Sequence, residues 1–80
     1  MTSAKEMFKK LGYEYTEFDT RIRCYKVENQ GYINFEKQEK ELSIWRYKEV
    51  DGHVILCKTD LNLEEIRAVV KQIEELGWNK

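Results

Sequence analysis

The sequence predicts an α+β domain: a short N-terminal helix, a four-stranded antiparallel β-meander and a longer C-terminal helix packed on one face of the sheet. Three observations carry that reading. Apolar residues recur at helical spacing at both ends of the chain, they alternate from Tyr13 to Thr59, and the breaks between the alternating runs are short.

In "TSAKEMFKKLGY", Ser3 followed by Glu6 has the spacing of a capping box, in which each side chain satisfies a backbone N–H of the first turn. Ala4, Met7, Phe8 and Leu11 form one apolar stripe, and Lys9 and Lys10 sit where the helix dipole favours cations. The helix spans about residues 3 to 11, too short to persist unless its stripe docks.

Strands are expected in "RIRCYKV", "YINFEK", "LSIWRYK" and "HVILCKT", with "YEYTEF" extended as a further edge candidate. The breaks are "ENQG", "QEKE" and "EVDG". Asp51-Gly52 is the strongest turn signal, because this pair takes the positive φ angles of a two-residue hairpin. Short connections make neighbouring strands antiparallel.

At the C-terminal end, Asn62 and Glu65 repeat the capping box, and Leu61 with Ile66 has the spacing of a hydrophobic staple. Leu63, Ile66, Val69, Val70, Ile73 and Leu76 make the expected core stripe of a helix ending near Leu76. Both helices end in Leu-Gly-aromatic, "LGY" and "LGW", which is the pattern of a glycine cap followed by a hydrophobe folding back, Tyr13 onto Phe8 and Trp78 onto Ile73. Glu74 and Glu75 oppose the dipole at that end, partly offset by Lys71; solvated surface charge is the favoured reading, and a cost left standing there would suit a basic partner.

Eighty residues make one domain, 1-80, with room for a single core. Fourteen basic residues against fifteen acidic give a net charge of -1, so nucleic-acid binding would need a local basic patch. No signal peptide or spanning segment is apparent, and a cytoplasmic protein is expected. Cys24 and Cys57 are far apart with His53 the lone histidine, which is not a zinc pattern; no metal or other cofactor is expected. His53 has no nucleophile beside it in sequence, no phosphate-binding loop is present, and no enzyme is predicted.

Strict alternation divides the sheet. One face collects Ile22, Cys24, Ile33, Phe35, Leu42 and Ile44, joined by Ile55 and Cys57 if the hairpin has two-residue geometry. The opposite face collects Arg23, Tyr25, Tyr32, Asn34, Trp45 and Tyr47, with Val54, Leu56 and Lys58 beyond. Three uses fit such a face: cover by the N-terminal helix through Met7, Phe8 and Leu11; a protein interface anchored by Trp45, Tyr47, Tyr25, Tyr32 and Arg23; or stacking of single-stranded nucleic acid, with Arg21, Arg23 and Lys58 on the phosphates. Glu28, Glu36 and the balanced charge count against the last.

The two ends, "SAKEMFKKLGYEY" and "LNLEEIRAVVKQIEELGW", resemble a group of small uncharacterised proteins encoded in phages and prophages of Gram-positive bacteria. The likeness covers about half the chain and lies mostly in caps and core positions. It implies a shared fold and a cytosolic accessory protein acting on a host or phage protein; it brings no catalytic residue. A homodimer is a further expectation, since a small sheet with a free edge is readily completed by a second copy.

Overall fold

The computed structural model describes residues 2–28, 30–57 and 60–78, with Cys57 by its backbone alone. The elements run α1 (Ala4–Lys10), β1 (Tyr13–Glu17), β2 (Arg21–Lys26), β3 (Gly31–Glu36), β4 (Glu41–Val50), β5 (His53–Cys57) and α2 (Leu63–Leu76). All strands pair antiparallel in chain order, so the sheet is a meander of five strands and not four. The added strand is β1. Its Tyr13 and Tyr15 face the core, and a tight turn closed by Phe18 N–H donating to the Arg21 carbonyl (2.7 Å) returns the chain into β2.

Both helices lie on the same face of the sheet, side by side. Phe8 of α1 and Ala68 and Val69 of α2 are buried with Tyr13, Ile22, Cys24, Ile33 and Phe35. Phe8 sits at the centre of this cluster, with ring centroids 5.6 Å from Tyr13 and 6.1 Å from Phe35. The N-terminal helix therefore does not cover the aromatic face.

The caps follow the sequence closely. Asn62 Oδ1 accepts from Glu65 N–H (2.9 Å) and Glu65 Oε1 accepts from Asn62 N–H (3.0 Å), a complete capping box. At α1, Ser3 Oγ accepts from Glu6 N–H (3.2 Å), but the Glu6 carboxylate accepts from the Ser3 hydroxyl (3.4 Å) and not from backbone. Gly77 is left-handed at φ 74°, and its N–H and that of Trp78 donate to the carbonyls of Glu74 and Ile73, a Schellman closure. The Trp78 ring stands beside Phe35, with centroids 6.2 Å apart, and so joins the core. Glu75 also has an internal role, since its Oε2 accepts from Ala4 N–H (2.8 Å) at the positive end of α1. A basic partner is not needed to explain it.

Of the expected α2 stripe, Val69, Ile73 and Leu76 meet the core, but the buried face is rotated away from Leu63, Ile66 and Val70. Glu65, Ala68, Val69 and Gln72 are buried, whereas Leu63, Ile66 and Val70 are exposed. Two tyrosines of β1 cause this. Tyr13 O–H donates to Glu65 Oε2 and Tyr15 O–H donates to Gln72 Oε1 (2.6 Å), so the helix turns a polar pair inward to meet the phenols. Burial pushes both phenols up in pKa: Tyr15 to about 12, and Tyr13 further, where the bond to Glu65 adds to the effect.

The last hairpin leaves the core. Arg46 pairs with Gly31, the first residue of β3, and β5 pairs with Arg46 to Val50 of β4. The two strands from Tyr47 to Leu56 thus form a two-stranded arm extending past β3, in a molecule 44 × 26 × 20 Å. Ile55 has the register expected of a core residue but is exposed, because neither helix reaches that far; Leu42, at the other end of β4, is partly exposed as well. The Cys57 side chain lies outside the described residues. At the opposite edge, β1 carries the exposed acids Glu14 and Glu17.

Candidate functional site

The face opposite the helices is built from the alternate residues of β2, β3 and β4. Register places Tyr25 opposite Tyr32 and Tyr32 opposite Trp45, which makes a ladder of rings straight across three strands. The centroids are 4.7 Å apart for Tyr25 and Tyr32, and 5.3 Å for Tyr32 and Trp45, the latter stacked at 17°. Tyr47, one step further along β4, meets Tyr32 edge-on at 5.8 Å. All four predicted rings are therefore brought together. Each such contact contributes about 0.5–1.5 kcal/mol beyond burial, which favours the stacked arrangement of the ladder.

Arg23 joins them. Its guanidinium lies 6.0 Å from the Tyr32 ring centre and 5.9 Å from that of Phe18, a residue that sequence reasoning did not assign to this face. The signal for Phe18 was weak because it stands in the turn after β1, where alternation no longer says which way a side chain points. Arg23, Phe18, Thr20 and Arg21 line a shallow cleft of about 260 Å³ at the edge of the platform.

Arg23 Nε, Asn34 Oδ1 and Trp45 Nε1 are shielded from solvent and find no hydrogen-bond partner among the described residues. Arg23 and Asn34 are direct cross-strand neighbours, so this row of the face is a strip of polar atoms beside the rings. Arg21, by contrast, is engaged by Glu36 at 3.5 Å. Lys58, the third cation expected here, lies outside the described residues.

The arrangement offers stacking and hydrogen-bonding surface. His53 is exposed at the start of β5. Cys24 is buried, and desolvation pushes its thiol up to about 12, so at neutral pH it is a protonated core residue and not a nucleophile. Among the described residues no three His, Cys, Asp or Glu side chains gather where they could hold a metal ion. No helix of the described residues is long and apolar enough to cross a membrane.

Fold and site together define a small α+β domain with two helices on one face of a five-stranded antiparallel meander and an aromatic platform on the other. Comparison with protein-family models, with curated proteins and with solved structures finds no match.

Proposed function

We propose that this chain is a non-catalytic binding protein, an accessory of the phage or prophage type acting in the cytoplasm, whose contact surface is the platform of Trp45, Tyr47, Tyr25, Tyr32 and Arg23. One observation carries the proposal: among the described residues no helix lies over the platform, although its rings are stacked and polar atoms beside them find no partner there. Tyr and Trp anchor protein interfaces because they bury much area with little loss of side-chain freedom, and Arg is enriched beside them for its planar array of donors. A host or phage protein is the partner class that the resemblance of the two ends implies.

Stacked rings also suit single-stranded nucleic acid, the competing reading. The acids Glu14, Glu36, Glu41 and Glu49 share this face by register, and Arg21 is engaged by one of them, which weighs against phosphate binding.

Affinity capture from a lysate of a Gram-positive host, comparing the native chain with the folded Trp45→Ala, Tyr47→Ala double variant, tests the platform. A partner retained by the native chain and lost by the variant is the expected result; equal recovery of every partner by both refutes it. Titration with labelled single-stranded DNA and RNA at low and high salt separates the competing reading, which requires salt-sensitive binding.

A further inference from the structure

We propose that the arm of β4 and β5 is a homodimerisation element, in which β5 pairs antiparallel with β5 of a second copy about a two-fold axis at Ile55. The seam is the outer edge of β5, one strand beyond Tyr47 of the aromatic platform, and rests on different observations.

The first is that the arm is a two-stranded ribbon. Such a ribbon is marginal in water alone and becomes stable when a third strand or a packed layer is added. Neither helix supplies one. Val54, Ile55 and Leu56 are 68, 45 and 61% exposed, and Tyr47 and Val50 beside them are exposed too.

The second is that one edge of the ribbon is guarded and the other is not. Where β4 runs past β3 it carries Lys48 and Glu49, the kind of side chain that deters strand addition. The segment His53–Cys57, HVILC, has no Asp, Glu, Lys or Arg. Strand order leaves this edge of β5 without a neighbour among the described residues.

The third is hydrogen-bond phase. Asp51 and Gly52 have φ of 51° and 76° between the paired Val50 and His53, the two-residue turn whose closing pair is hydrogen-bonded. Bonded pairs then alternate: Val50 with His53, and Lys48 with Ile55. Tyr47 N–H, which donates to the Gln30 carbonyl (3.2 Å), confirms that Tyr47 and Leu56 form a non-bonded pair. The N–H and C=O of Val54 and Leu56 therefore point out of the free edge.

A dyad at Ile55 satisfies these groups in one step. Val54 of one copy meets Leu56 of the other, and the two exchange backbone hydrogen bonds on each side of the axis. Ile55 faces its own symmetry mate as a non-bonded pair, the closer of the two spacings. Cross-strand rows then read Tyr47, Leu56, Val54, Glu49 on one face and Lys48, Ile55, Ile55, Lys48 on the other, so apolar side chains meet at the seam and like charges stay two strands apart. With a net charge of -1, two copies repel little.

A seam of five residues a side is far smaller than the ~20–30 residues a side of a standard interface, so the dimer belongs to the class that dissociates on dilution. Because the axis stands across the sheet, the aromatic platforms of both copies end on one side.

Sedimentation of the native chain from about 1 mM down to about 1 μM tests this, with dimer at the top of the range and monomer at the bottom. Ile55→Lys sets two cations face to face on the axis and should weaken the dimer at least tenfold, with unchanged circular dichroism, as Ile55 is outside the core. In a Cys57→Ser background, Ile55→Cys should oxidise to a covalent dimer much faster than Leu56→Cys, because only residue 55 faces its mate at disulfide distance. A native chain monomeric at every concentration would leave β5 to another protein and overturn the proposal. So would a dimer indifferent to Ile55→Lys, or equal cross-linking at 55 and 56.

Discussion

Replacing Tyr13 by Phe removes one oxygen from the centre of the molecule and isolates the tie between sheet and helix. The ring itself is unchanged, so its edge contact with Phe8 and the Lys26 Nζ 5.4 Å from its centre remain. What disappears is the O–H donated to Glu65 Oε2, on a side chain only 7% exposed. The other carboxylate oxygen is already committed to Asn62 N–H, so the side chain cannot swing to water without opening the helix cap. A hydrogen bond to a charged group, lost so as to leave that group shielded, costs about 1.5–3 kcal/mol. For a domain this size, about 2 kcal/mol corresponds to a fall in Tm of roughly 8–16 °C. Tyr15→Phe is the internal comparison: its acceptor, Gln72 Oε1, is as deeply buried but neutral, and the loss should be smaller, about 1–2 kcal/mol. Urea unfolding at pH 7, followed by circular dichroism, measures both. The reasoning fails if Tyr13→Phe changes stability by less than about 0.5 kcal/mol, or by no more than Tyr15→Phe.

Alkaline pH should unfold the protein over a defined window. Cys24, Tyr15 and Tyr13 all hold their protons more tightly folded than at their ordinary values of 9.0 and 10.0, chiefly through burial. A raised folded value means that stability is complete below the unfolded value and is lost as pH rises towards the folded one. The urea midpoint should thus stay level from pH 7 to about 9 and then fall, by up to about 1.4 kcal/mol per pH unit for each group titrating. A midpoint constant to pH 12 contradicts the buried placement. At the start of α2, Asn62→Ala should cost about 0.5–2 kcal/mol while Asn62→Ser costs little, since either native oxygen or hydroxyl can accept from Glu65 N–H; equal losses for the two would show that the cap does not act through that bond.

Side-chain alternation was enough to separate the faces of the sheet, because Asp51-Gly52 sets the last register and each shift by one residue would exchange the two sets. The ring ladder was legible for the same reason. Three features were not. Periodicity ranks helix faces by aliphatic content, so it chose Leu63, Ile66 and Val70 and could not register that Glu65 and Gln72 would be drawn inward by phenols some fifty residues away. Alternation gives the side of a sheet but not its depth under a neighbouring layer, which is why Ile55 was assigned to the core. Glu75, read as an anion at the wrong end of its own helix, acts at the start of another. In each case the deciding partner is remote in sequence.

The acids on β1 limit what this sheet can build. A chain with two receptive rims could add copies without end and grow into a fibre; here Glu14 and Glu17 guard one of them. Among the described residues only the rim formed by β5 is open, so copies that join through it pair like with like, and growth by this route halts once both open rims are used.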